Sequence, residues 1–127
     1  MAQYVNIPID RLTYLFTSFN KQGANLGNAD VTVQPFTDLG GVSLYTMPPN
    51  TMTANRAVTL GNTSAPPAGV VWLCFILRQD QTANTLTVKR ADTTNIYVDP
   101  VSPTQNRILQ FICSNGVWSA NAGYICP

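Results

Sequence analysis

The stretch "APPAGVVWLCFILRQD", residues 65–80, is the most apolar part of the chain and has sharp ends. A Pro-Pro-Ala-Gly turn leads into the apolar run from Val70 to Leu77, and polar residues follow from Arg78 onward. A membrane-spanning helix needs about 20 apolar residues, so this run is too short to cross a bilayer. It is rich in β-branched and aromatic residues and is bounded by turns, which favours a strand over a helix.

Both faces of this predicted strand are apolar. Side chains alternate between the two faces of a strand, so the even-numbered residues from Val70 to Ile76 share one face, and Leu73, Phe75 and Leu77 share the other. A half-exposed strand alternates apolar with polar residues, so a strand with two apolar faces is covered on both sides. In a chain of 127 residues we expect another subunit to supply the second cover, which predicts Leu73, Phe75 and Leu77 at a subunit interface.

The rest of the chain predicts further short strands separated by turns. Asn115-Gly116 is the strongest hairpin signal, because both positions of a two-residue loop tolerate positive φ, and this loop would place Cys113 opposite Trp118. Short strands at this spacing predict an all-β fold, a single β-sandwich or jelly-roll-like domain over residues 21–127, and no internal repeat is evident. The other candidate strands are residues 30–33, 41–47, 56–60, 85–90, 95–98, 107–113 and 117–120.

The composition excludes several classes of function. Charged residues make up 10% of the chain, against about 25% in typical soluble domains. The net charge is +1, and there is no basic cluster beyond Lys89-Arg90, so nothing resembles a nucleic-acid footprint. The chain has no His, which removes Ser–His and Cys–His pairs and the commonest metal ligand. We therefore predict that the protein is not an enzyme and uses no cofactor and no metal.

A few side chains could bind a ligand, but each has a simpler structural interpretation. Asp80, Asp92 and Asp99 lie near predicted strand ends, where an aspartate ordinarily stabilises a turn; a calcium ligand is the alternative. Trp72 and Trp118 fall within apolar strand patterns, which favours a place in the core over stacking on a sugar ring.

The three cysteines, Cys74, Cys113 and Cys126, predict buried thiols. The N-terminus has no basic segment before its apolar residues, so it does not read as a secretory signal, and we expect folding in a reducing cytoplasm. Free cysteine is among the most buried residue types. If a disulfide formed, Cys113 with Cys126 would be the first pair to test.

Residues 1–20 are predicted to form an N-terminal arm, or a first strand followed by a helical turn. They are too apolar to remain a solvated tail, and the alternation at positions 5, 7 and 9 is typical of a strand added to a sheet edge. The arm would contact a neighbouring subunit or partner; the alternative is that it packs on its own sandwich. The predicted contact residues are Tyr4, Val5, Ile7, Ile9, Phe16 and Phe19.

Five segments between residues 52 and 120 occur in a recognisable order. They are "TANRAVTL", the turn "SAPPAG", the apolar strand that ends in Arg78, "ANTLTVKR", and "ILQFICSNGVWSA". This order resembles a small β-module of tailed-bacteriophage virion proteins, found in capsid decoration proteins, head fibres and tail-fibre ends. The chain departs from the module at "DPVSPTQN", residues 99–106, where a Gly-rich acidic turn is usual, and at the C-terminal extension "NAGYICP".

The resemblance implies a trimeric, sandwich-like structural protein of a phage virion. We expect a capsid decoration, or cement, protein on the outer capsid surface, with the major capsid protein and its own copies as partners. The alternative is a fibre or spike tip that binds a host glycan or protein. The chain opens with Met and contains no shaft-like segment, which favours the decoration protein. Neither nucleic acid nor a membrane is an expected partner.

Overall fold

The structure is a computed structural model that describes residues 3–6, 21–22, 25–35, 42–61, 72–99, 105–114 and 116–126. Strands dominate these residues, and every strand predicted from the sequence is present. The predicted all-β class is therefore confirmed. The strands are β1 Gln3–Asn6, β2 Lys21–Gln22, β3 Val31–Val33, β4 Val42–Met47, β5 Arg56–Leu60, β6 Trp72–Arg78, β7 Leu86–Arg90, β8 Asn95–Asp99, β9 Asn106–Ser114 and β10 Val117–Cys126.

Two sheets pack face to face across one core. The described part of the larger sheet has six strands in the order β1-β10-β9-β6-β4-β2, and that of the smaller sheet has four in the order β3-β5-β7-β8. Ile76, Phe111 and Trp118 of the larger sheet meet Val58 and Val88 of the smaller one, and all five are almost fully buried. This arrangement confirms the predicted β-sandwich.

The chain winds between the sheets in successive turns. From β2 to β7 consecutive strands alternate between the larger and the smaller sheet, so neighbours within each sheet run parallel. A jelly roll has antiparallel neighbours instead, so the connections differ from that expectation. The sequence Thr-Ala-Asn occurs at residues 53–55 and again at 82–84, before β5 and β7.

The apolar strand β6 is covered on both faces, as its sequence predicts. Cys74 and Ile76 lie in the core between the sheets. On the opposite face Phe75 and Leu77 are each 8% exposed, and Leu73 is half-buried. Because a single chain already buries Phe75 and Leu77, no second subunit is needed to cover them. The interface role of these three residues stays a prediction.

Residues 3–6 form an edge strand of the chain's own larger sheet. Strand β1 runs parallel to β10, with Tyr4 beside Gly123 and Val5 beside Tyr124. This pairing matches the first-strand alternative for the N-terminus. Ile7, Ile9, Phe16 and Phe19 lie outside the described residues, so a contact with a neighbouring subunit stays a prediction.

The β9–β10 hairpin has the predicted register, and the register decides between the cysteine hypotheses. Cys113 lies opposite Trp118, and Gly116 in the turn has φ of 77°. Cys126 lies opposite Asn106, at the far end of β9, about 23 Å from Cys113 at about 3.3 Å per residue. A disulfide needs Cα atoms within about 7 Å, so an intrachain Cys113–Cys126 bond is excluded. Cys74 and Cys113 are buried free thiols, as predicted.

Candidate functional site: a buried charge network

Two connections between the sheets and the ends of two further strands lie at one end of the sandwich. Residues 48–55 join β4 to β5, and residues 79–85 join β6 to β7. Because β8 is antiparallel to β7 and β9 is antiparallel to β6, the end of β8 at Asp99 and the start of β9 at Asn106 lie at the same end. We call residues 48–55 and 79–85, together with Arg78, Asp99 and Arg107, the crossover end.

Arg78, the last residue of β6, is fully buried at the crossover end. Its Nη1 donates to Asp99 Oδ2 at 2.8 Å, and both side chains are 0% exposed. Its Nε donates to the carbonyl oxygen of Asp80 at 2.9 Å, and its Nη2 donates to the carbonyl oxygen of Asn84 at 2.5 Å. The guanidinium thus ties the 79–85 connection to the end of β8.

Asp99 joins both arginines of the network. Its Oδ1 accepts a hydrogen bond from Arg107 Nη1 at 2.8 Å, on the side opposite Arg78. Arg107 is partly exposed, with 21% of its side chain accessible. Taking a carboxylate out of water is costly unless it is paired and hydrogen-bonded, and the two guanidinium partners of Asp99 meet this requirement. The ion pair with Arg107 also joins the two ends of the β8–β9 passage.

Asp80 holds the two connections together through its carboxylate. Oδ2 accepts hydrogen bonds from the backbone N–H groups of Thr51 at 2.6 Å and Met52 at 2.8 Å. Oδ1 accepts from the backbone N–H of Thr82 at 3.0 Å and from the Thr82 hydroxyl. Burial raises the pKa of this carboxyl group, but the four hydrogen bonds lower it by more, so the pKa lies below the ordinary 3.8.

Asparagine side chains join each turn of the winding to the next. Asn28 Oδ1 accepts from the Thr53 backbone N–H at 3.0 Å, and Asn55 Oδ1 accepts from the Thr85 backbone N–H at 2.9 Å. Asn84 Nδ2 donates back to the Met52 carbonyl oxygen at 2.9 Å. In each bond an asparagine side chain binds a backbone group of a neighbouring loop. The backbone of the crossover end is therefore held in a defined conformation.

The structure separates the three aspartates that the sequence places near strand ends. Asp92 Oδ1 accepts from the Thr94 backbone N–H at 2.9 Å, so its predicted turn role is confirmed. Asp80 forms its predicted turn through Thr82 and also binds the neighbouring connection. Asp99 binds two arginines, which the sequence did not predict. Residues 100–104, which follow it, lie outside the described residues, so its turn role stays a prediction. The sequence feature that could have predicted the Arg78–Asp99 ion pair is the position of Arg78 at the end of an apolar strand. An arginine that is buried there requires an acidic partner.

The chemistry of this network is structural. Both carboxylates have their oxygens engaged by hydrogen bonds or ion pairs with groups of the same chain. Within the described ranges no group of three His, Cys, Asp or Glu side chains is placed to hold a metal ion. Trp118 is 1% exposed and Trp72 packs against the core, as the sequence predicts for both.

Comparisons with known proteins give no relative. No protein-family model, no curated protein and no solved structure matches the chain. In the part of the chain that the structure describes, no helix is long and apolar enough to cross a membrane.

Proposed function

We propose that the chain is a structural protein of a bacteriophage virion, a decoration protein that binds the outer capsid surface as a homotrimer and stabilises it. The observation that supports this proposal best is the placement of the segments that resemble the phage module. Apart from the turn at residues 64–69, which lies outside the described residues, they fold as β5, β6, β7 and the β9–β10 hairpin of one sandwich, in the order that the module has.

The electrostatics of the fold also favour a structural role. Among the described residues, the fully buried charged side chains are Arg78, Asp80 and Asp99, and all three belong to the crossover end. Their charges hold loops in place, and the chain as a whole has a net charge of +1. Preorganised loops on a charge-poor surface suit a protein that docks on another protein, because little entropy is lost on binding.

The trimer is part of the proposal and has its own test. Closed cyclic symmetry buries an interface without open-ended polymerisation. Light scattering at micromolar concentration should give three times the chain mass of 13.8 kDa. A protein that stays monomeric over the whole concentration range would contradict the proposed trimer.

Reconstitution tests the attachment to the capsid. Virus particles that encode the chain are stripped of it, and the purified protein is added back in increasing amounts. We expect saturable binding at hundreds of copies per particle and a higher temperature of capsid disruption. Saturation at a handful of copies, without a change in capsid stability, would favour the fibre or spike tip instead. Absence of binding to any part of the particle would contradict both.

A further inference from the structure

We propose that the crossover end is an acid-released latch, which opens while the two-sheet core remains folded. This inference concerns the conformation of the chain and does not depend on the proposed function. It rests on the way in which the Asp80 carboxylate holds the connections 48–55 and 79–85 together at one end of the sandwich.

The latch is assembled from groups that are far apart in sequence. Asp80 binds the backbone of Thr51 and Met52, which lie 29 and 28 residues away. Asp99 binds Arg78, which lies 21 residues away. Asp80 therefore joins two connections that are far apart in sequence, alongside the asparagine bonds between them. Protonation of Asp80 removes the negative charge that its four donors face, so these hydrogen bonds weaken. The connection 48–55 is then held to the connection 79–85 by fewer bonds, among them the one from Asn84 Nδ2 to the Met52 carbonyl oxygen.

Four strands place a charged residue at the crossover end. These residues are Arg56 of β5, Arg78 of β6, Asp99 of β8 and Arg107 of β9, and Arg78 donates to the carbonyl oxygen of Asp80. The connections 48–55 and 79–85 contribute no charged group other than Asp80 itself.

The core between the two sheets is stabilised by apolar burial, and we expect it to stay folded in acid. The buried residues of β6 and β9, such as Ile76 and Phe111, are apolar, and their burial does not change with pH. Met52 lies at the boundary, because its side chain is 2% exposed while its backbone N–H donates to Asp80. Opening of the latch therefore exposes Met52 before it exposes the rest of the core.

Hydrogen exchange resolved to single amides tests the latch. Protection factors, corrected for intrinsic exchange rates, are measured from about pH 7 to about pH 2. This range extends below the ordinary aspartate pKa of 3.8, on the side to which the pKa of Asp80 is shifted. The amides of Thr51, Met52 and Thr82 report on Asp80, and those of Ile76 and Phe111 report on the core. We expect the first group to lose at least about tenfold protection in acid before the second group changes. Simultaneous loss in both groups, or no loss in the first, overturns the proposal.

Two variants and a chemical probe make the test specific. Asp80→Asn should lower protection of Thr51 and Met52 at neutral pH, and Thr82→Val, which removes one donor to Asp80, should move the opening to higher pH. If Asp80→Asn does not fold, the test rests on Thr82→Val. An unchanged pH of opening in that variant overturns the proposal. Oxidation of Met52 by hydrogen peroxide should accelerate in acid in parallel with the loss of protection; a constant rate contradicts the exposure of its side chain.

Discussion

The guanidinium of Arg78 and the carboxylate of Asp99 form an ion pair at 2.8 Å, and neither side chain exposes any surface to solvent. The pair joins the last residue of a strand in the larger sheet to the last residue of a strand in the smaller sheet. It thereby fixes one end of the sandwich, together with the hydrogen bonds of Asp80.

Replacement of Asp99 should be strongly destabilising. Asp99→Asn leaves the buried Arg78 without its counter-charge, which typically costs about 3–5 kcal/mol in the free energy of unfolding. Urea denaturation followed by tryptophan fluorescence measures the change. Asp92→Asn is the matched control, because Asp92 is exposed and an asparagine still accepts from Thr94. Equal stability of the two variants would show that the buried pair does not hold the fold.

The two described thiols should be unreactive in the folded protein. Burial raises the pKa of the Cys74 thiol to about 12, and it raises the pKa of Cys113 as well. Both thiols therefore stay protonated near pH 8, where a thiol reagent requires the thiolate. Mass spectrometry after alkylation should find Cys74 and Cys113 unmodified in native protein and modified after unfolding.

The melting temperature gives a separate check on the cysteines. A reductant should leave it unchanged, since Cys74 and Cys113 are free. A fall of several degrees would reveal a disulfide, which typically contributes about 2–4 kcal/mol. Such a fall would have to come from a bond other than an intrachain Cys113–Cys126 pair, because the hairpin register keeps those two residues apart.

Charge on the outer face of β6 should unfold the chain and not merely separate subunits. Phe75 is 8% exposed in the single chain, so Phe75→Asp buries an unpaired carboxylate. Val98, on β8, is 51% exposed, and Val98→Asp should leave the fold intact. Circular dichroism and light scattering distinguish the outcomes. A folded, monomeric Phe75→Asp variant would show instead that this face is a subunit interface.

Deletion of residues 2–19 tests the N-terminal arm. The deletion removes β1 from the edge of the larger sheet and leaves β2 to β10 in the chain. If the segment is an arm, the shortened chain melts cooperatively and no longer binds stripped particles. An unfolded product would show that the segment belongs to the core. A folded product that still binds would place the attachment surface elsewhere.

The strands could be predicted from the sequence, whereas the buried contacts of Arg78, Asp80 and Asp99 could not. Alternation of apolar residues and the Asn115-Gly116 turn are local signals, and they sufficed for β3 to β10 and for the placement of Cys113 opposite Trp118. The partnership of Arg78 with Asp99 spans 21 residues and depends on how strands of different sheets are stacked. The parallel winding was missed for a similar reason, because strand direction is set by crossovers that carry no pattern of their own.

The location of the protein on intact particles tests the proposed function most directly. Cryo-electron microscopy of virions that encode the chain should show trimeric density on the outer capsid surface. The density should fit the two-sheet sandwich, and quantitative mass spectrometry should give hundreds of copies per particle. Density confined to a fibre or spike tip, or the absence of the protein from purified virions, would contradict the account.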